Sequence, residues 1–159
     1  MIRQRGRKKR DGGNAIIEFA LMAPWILFLF IGTFDLGFYF YAGICTSNAA
    51  RVAAIANAVS LSSATDSAGA CYNVVGEMNK LPNTQALVPG SYACPSSPSS
   101  GSPIALVTVG TEVESDGSTA AVVQVGYLPL QMIPIPGVIN GQMTIYRTAK
   151  VPILNTTPP

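Results

Sequence analysis

Two carboxylates stand where an apolar side chain would be expected. Glu18 is the fifth residue after Gly13, near the start of the apolar run that follows "RKKRDGG", and Asp35 interrupts the same run further on. A charge in such a segment is costly, and it marks a contact or a path rather than filler. Other chemistry has little to draw on. The chain contains no histidine, which removes Ser-His-Asp and Cys-His arrangements and every histidine metal site. No Gly-rich phosphate loop of the G-x-x-x-x-G-K type occurs. Glu112, Glu114 and Asp116 could hold a cation, but at a hairpin tip they read as a solvated rim. No residues carry an enzymatic reading, and no cofactor or metal is expected.

The three cysteines, Cys45, Cys71 and Cys94, are 26 and 23 residues apart, so no C-x-x-C pair exists. Three single pairings are open. Cys71–Cys94 is favoured, because Cys45 falls at the membrane end of the long helix described below. In an oxidising compartment such a bond would stabilise by ~3 kcal/mol in the chain-entropy model. Cys45 would then be free, or would cross-link two copies.

The elements that position these residues follow from charge and hydropathy. Only 11% of the 159 residues are charged, against roughly 25% in an average domain. Six of the ten basic residues, Arg3, Arg5, Arg7, Lys8, Lys9 and Arg10, lie in the first ten positions. A basic tail can bind nucleic acid. Directly before a long apolar run it instead fixes membrane orientation, and no nucleic-acid partner is expected. From Phe19 to Tyr41 the sequence is apolar except for Thr33 and Asp35, long enough at 1.5 Å per residue for the ~30 Å hydrocarbon core. The tail would stay cytoplasmic and everything after about residue 44 would be extracytoplasmic. The run is longer than a cleaved signal core and contains Pro24 and Trp25.

The organisation expected is a basic leader over 1–13, a long helix over 14–59 crossing the membrane at about 19–41, a short helix and irregular loop over 60–103, and an antiparallel β region over 104–159. The fold class is α+β. On the distal helix, Cys45, Ala49, Val52, Ala56 and Val59 form a 4-3-4-3 apolar stripe. Small residues also recur every four positions, Ala49/Ala53 and Ala50/Ala54/Ala58, as in closely approaching helices. Part of this surface should pack on the chain's own domain. A second helix is expected over 68–80. Pro82–Pro103 reads as a loop, with "CPSSPSSGSP" its most linker-like part.

The clearest β signal is "IALVTVGTEVE" and "TAAVVQVGYL" around "SDGS". A two-residue Asp-Gly turn mismatches the faces. A three-residue loop, Ser115-Asp116-Gly117 with Gly117 in the left-handed region, pairs Val113 with Thr119, Val109 with Val123, Val107 with Val125 and Ala105 with Tyr127. Residues 142–153 form a third strand, with Met143, Ile145, Ala149 and Val151 on one face and Arg147 the exception. The proline-rich, apolar stretch 128–141 either folds over the sheet's own core or offers a contact surface to another subunit or the membrane.

A basic leader, a glycine and an apolar helix with glutamate at the fifth position resemble a type IV prepilin. The segment "GNAIIEFALMAPWILFLFIGTFDLGFYFYAGICTSNAARVAAI" resembles more closely the TadE-like pseudopilins of the tight-adherence (Flp) pilus machinery. The likeness is carried by Glu18-Phe19-Ala20-Leu21, Pro24, Asp35 with Gly37, and Asn48-Ala49-Ala50-Arg51. Phe19 follows the glutamate where the major Flp pilins have tyrosine. The ending "VQVGYLPLQMIPIPG…MTIYRTAKVPI" is similar to the family's closing strands, less specifically.

The resemblance implies a minor pilin or pseudopilin that acts in pilus assembly. A prepilin peptidase would cut between Gly13 and Asn14 on the cytoplasmic side of the inner membrane. That removes six of the ten basic and one of the eight acidic residues, leaving four and seven, a net charge of −3. Glu18 would pair with the new α-amino group of a neighbouring subunit, lowering the cost of both buried charges and setting axial register. Otherwise it is a carboxylate wetted by headgroups. Asp35 falls roughly 24–28 Å along the span, near the far interface, where it is either hydrated or a subunit contact. The implied partners are the peptidase, other pilin or pseudopilin subunits, the inner-membrane assembly platform and membrane lipid. The C-terminal domain would be periplasmic, or built into an extracellular pilus. The alternative is an uncleaved single-pass membrane protein with a structural or binding ectodomain.

Overall fold

A computed structural model describes residues 14–130 and 143–154. The basic leader with Gly13 and most of the apolar 128–141 stretch lie outside these described residues. The architecture is α+β. A 44-residue helix α1 (Asn14–Asn57) is followed by a short 3-10 helix (Ser63–Thr65), a helix α2 (Ser67–Met78) and strands β1 (Ile104–Val113), β2 (Thr119–Tyr127) and β3 (Ile145–Pro152). The chain divides into two units, residues 1–37 and 38–159.

In the first unit α1 presents its side chains to the surroundings on all sides. Ile16, Phe19, Leu21, Trp25, Leu29 and Phe30 are each at least 67% exposed. Pro24 sits inside the helix, and Thr33 turns its hydroxyl inward, Oγ1 donating to the Leu29 carbonyl at 2.8 Å. That bond satisfies the hydroxyl without water. The segment is long and apolar enough to cross a membrane.

The second unit is built on a three-stranded antiparallel sheet in the order β1-β2-β3. The hairpin turns through Ser115-Asp116-Gly117: Gly117 N donates to the Glu114 carbonyl, Glu114 N to the Ser118 carbonyl, and Gly117 has φ +83°. Val113 pairs with Thr119 and Val109 with Val123. Beyond Val109 the expected register is wrong. An irregularity between Leu106 and Thr108 slips the pairing by one, so Leu106 meets Val125 and Ile104 meets Tyr127. The physical reason is burial. Val107 is left 37% exposed, whereas Ile104 and Leu106 enter the core. Strict alternation would have buried Ala105 and Val107 there. The bulge puts two larger side chains into that core cluster, and Ala105 stays fully buried outside it.

The core joins Ala42, Ala49, Ala50, Ala53 and Ala54 of α1 with Val74, Val75 and Met78 of α2, Leu81, and Ile104, Val123, Val125, Tyr127 and Ile145. The apolar stripe expected on α1 is therefore corrected. Ala49 is buried, but Ala56 and Val59 are exposed. The buried face is made by the small residues, which admit the neighbouring elements closely. Asn57 is buried on it as well, its amide donating to the Asp66 carbonyl at 3.1 Å. Asp66 caps α2, Oδ1 accepting from Ala68 N and Gly69 N at 3.0 Å each. Gly69 is needed for this, because a Cβ there would stand 2.5 Å from Asp66 Oδ2.

The segment 79–103 is irregular but tied down. Tyr92 Oη donates to the Ile104 carbonyl, Leu106 N to the Pro95 carbonyl and Leu128 N to the Pro103 carbonyl. The most linker-like stretch is thus a strap along the sheet. Pro98 and the Tyr146 ring lie over Gly126, where a Cβ would approach Tyr146 to 3.0 Å. Cys71 and Cys94 are joined by a disulfide, with Cα atoms 5.8 Å apart. In β3 Ile145 is buried and Ala149 and Val151 are half-buried, whereas Met143 precedes the strand and is 59% exposed.

Candidate assembly surface

Within residues 14–37 the helix positions two acids. Asn14 is its first residue. Glu18 is exposed, one turn below Leu21 and Met22, which are 69% and 64% exposed. Asp35 is half-buried, and its Oδ1 is buried with no hydrogen-bond partner. Among the described residues the ion pairs are those of Lys150, so neither acid has a cation. An orphaned carboxylate oxygen costs about 1–3 kcal/mol or more when desolvated. The arrangement can bind a donor or cation carried by another molecule. Glu18 and Asp35 are 17 residues apart on one helix, about 25 Å along its axis, and form two separate positions rather than one site.

Residues 38–57 of α1 do a different job. Ala49 and Ala50 are fully buried, Arg51 is exposed, and Asn48 Nδ2 donates to Glu77 Oε2 of α2 at 3.2 Å. The Asn-Ala-Ala-Arg segment is thus the seat of α1 in the second unit, with a polar clasp beside it. Cys45 is half-buried and outside the disulfide.

Residues 13–54 match the family model of TadE-like proteins. The N-terminal segment is TadE-like. No curated protein and no solved structure matches the chain. The TadE-like segment spans both roles of α1: the exposed apolar stretch with Glu18 and Asp35, and the alanine face that anchors it in the core. It ends at Ala54, so the sheet and the strap lie outside the match.

One residue that sequence reasoning did not assign stands beside this segment. Arg147 of β3 is exposed, and its Nη2 lies 3.6 Å from where a Gly43 Cβ would be. A groove of about 320 Å³ opens there, lined by Tyr39, Phe40, Gly43, Ile44, Ser47 and Arg147. The signal in the sequence was Arg147 itself, the single charge on the apolar face of the third strand.

Proposed function

We propose that the protein is a minor pilin or pseudopilin of a tight-adherence pilus, a non-enzymatic subunit anchored in the inner membrane. The observation that carries this reading is the TadE-like match over 13–54, on a helix whose exposed apolar stretch holds two acids without cations among the described residues. The span crosses the membrane with the second unit on the periplasmic side, and the Cys71–Cys94 disulfide suits that oxidising compartment. A prepilin peptidase cleaves after Gly13. The α-amino group created on Asn14 then pairs with Glu18 of a neighbouring subunit, while Asp35 takes a donor from a pilin, pseudopilin or platform protein.

The mass of the membrane-extracted protein tests this. Co-expressed with its cognate prepilin peptidase, the chain should begin at Asn14. Gly13→Leu should retain Met1–Gly13, because a side chain at that position obstructs the approach of the peptidase's catalytic groups. A wild-type chain that keeps its leader beside an active peptidase would establish the other reading, an uncleaved single-pass membrane protein with a binding ectodomain.

A further inference from the structure

The groove between α1 and β3 is built from unlike parts. Tyr39, Gly43 and Ser47 follow one another at four-residue spacing, so they line one face of α1 and make the floor. Phe40 and Ile44, 65% and 69% exposed, form an apolar side. Arg147 closes it. One of its N–H groups donates to the Tyr146 carbonyl at 3.1 Å, which holds the guanidinium toward Gly43. The remaining donors of the five-donor fork have no partner among the described residues, and no carboxylate pairs with it there.

We propose that this groove binds one phospholipid by its headgroup phosphate. The proposal rests on reading α1 as a membrane span. Gly43 lies two residues past Tyr41, where the apolar run ends, so Arg147 beside it stands just beyond the hydrocarbon boundary. That is headgroup level. A guanidinium with unused donors matches phosphate oxygens in geometry and charge. Tyr39 and Tyr41 stand where aromatic belts meet the interface. The apolar flank of Phe40 and Ile44 continues toward the span and suits the first carbons of an acyl chain, which a free phosphate would leave unused. A carboxylate of a second copy is a poorer fit. Asp35 and Glu18 lie 8 and 25 residues before Gly43 in the sequence, both ahead of the end of the apolar run at Tyr41, whereas Gly43 follows it, so in the membrane reading parallel copies in register would not bring them to this level.

The test uses the full chain in nanodiscs of phosphatidylethanolamine and phosphatidylglycerol, exchanged into detergent and weighed by native mass spectrometry. Wild type should retain one phospholipid. Arg147→Gln should retain about tenfold less, the loss of a charge-assisted contact, with Arg147→Lys between them. Gly43→Leu fills the floor and should also release the lipid. Arg147→Gln changes an exposed residue, and an unchanged near-ultraviolet circular dichroism spectrum with an intact Cys71–Cys94 bond controls for folding. Equal retention by wild type and Arg147→Gln would overturn the site, as would equal retention of uncharged diacylglycerol. Inorganic phosphate bound in an Arg147-dependent way without phospholipid would assign the groove to a free anion instead. An Arg147-dependent dimer free of lipid would assign it to self-association. Carbonate extraction separates the two levels. A chain released by carbonate refutes the membrane span, whereas one that stays in the membrane but retains no lipid refutes only the headgroup site.

Discussion

The Tyr127 hydroxyl, at the end of β2, donates to the side-chain carbonyl of Asn83, and the Asn83 amide donates to the Leu128 carbonyl at 2.8 Å. Two residues 44 positions apart thus lock the start of the strap to the end of the central strand. Burial pushes the Tyr127 phenol up to about 12, and the nearby Cys45 sulfur adds to the shift. The folded state therefore holds this proton more tightly than the unfolded chain, whose phenol titrates near 10. The stabilisation is complete below pH 10 and fades as pH rises from 10 to about 12. Tyr127→Phe should cost about 1 kcal/mol at neutral pH by orphaning Asn83. It should also flatten the loss of stability between pH 10 and 12. Denaturant melts of wild type and variant across that range check both.

The alanine face of α1 makes a contrasting pair. Ala50 is fully buried, whereas Val59 is 59% exposed. Ala50→Leu inserts three carbons where neighbouring elements already touch the helix, and should cost about 1–3 kcal/mol. Val59→Ser should change stability by less than about 0.5 kcal/mol. The apolar stripe Cys45-Ala49-Val52-Ala56-Val59 would predict the opposite ranking. Thermal melts of the two variants decide between them.

Several elements were readable from residues alone, for identifiable reasons. The apolar run is long enough to cross a membrane, and it forms one continuous helix. The Gly117 turn follows from matching the faces of two strands, which also placed Val109 opposite Val123. The register failed just beyond, between Thr108 and Leu106, because the bulge places the bulkier Ile104 and Leu106 on the core face, and alternation does not register volume. The helix stripe failed for a related reason. The four-residue spacing of the alanines was the better guide: Ala49, Ala50, Ala53, Ala54 and Ala58 are all buried, and their small size is what lets α1 seat closely. Arg147 was visible as an exception but had no meaning until Gly43, 104 residues earlier, was placed beneath it. The strap over 79–103 has little apolar patterning, and apart from Leu81 and the disulfide it is held by scattered hydrogen bonds such as those of Asn83, Tyr92, Pro95 and Pro103.

The Cys71–Cys94 bond closes a segment held otherwise by those few contacts. Replacing both cysteines with alanine should cost about 3 kcal/mol, chiefly through the greater freedom of the unfolded chain. Non-reducing peptide mapping should recover the 71–94 pair and Cys45 as a free thiol. Recovery of Cys45 joined to Cys71 or Cys94 would contradict the pairing. Cys45 joined to Cys45 of another copy, with 71–94 intact, would place the membrane-distal helices of two copies side by side.

Glu18 and Asp35 separate processing from assembly. In the proposed reading the peptidase acts at Gly13, and the Glu18 carboxylate is needed afterwards, to meet a neighbour's Asn14 amine. Glu18→Ala should therefore leave the mature N-terminus at Asn14 while reducing co-purified pilus subunits about tenfold, as expected when a desolvated ammonium loses its partner. Glu18→Gln keeps the shape and one acceptor but not the charge, and should recover only part of the loss. Asp35→Leu removes the orphaned oxygen. It should leave the stability of the second unit unchanged and lower partner yield independently of Glu18, because the two positions are about 25 Å apart on the helix. Affinity purification of tagged variants, with N-terminal sequencing of the recovered chain, reads both steps at once. Full partner yield from the Glu18→Ala, Asp35→Leu double variant would reduce both acids to hydrated interfacial charges.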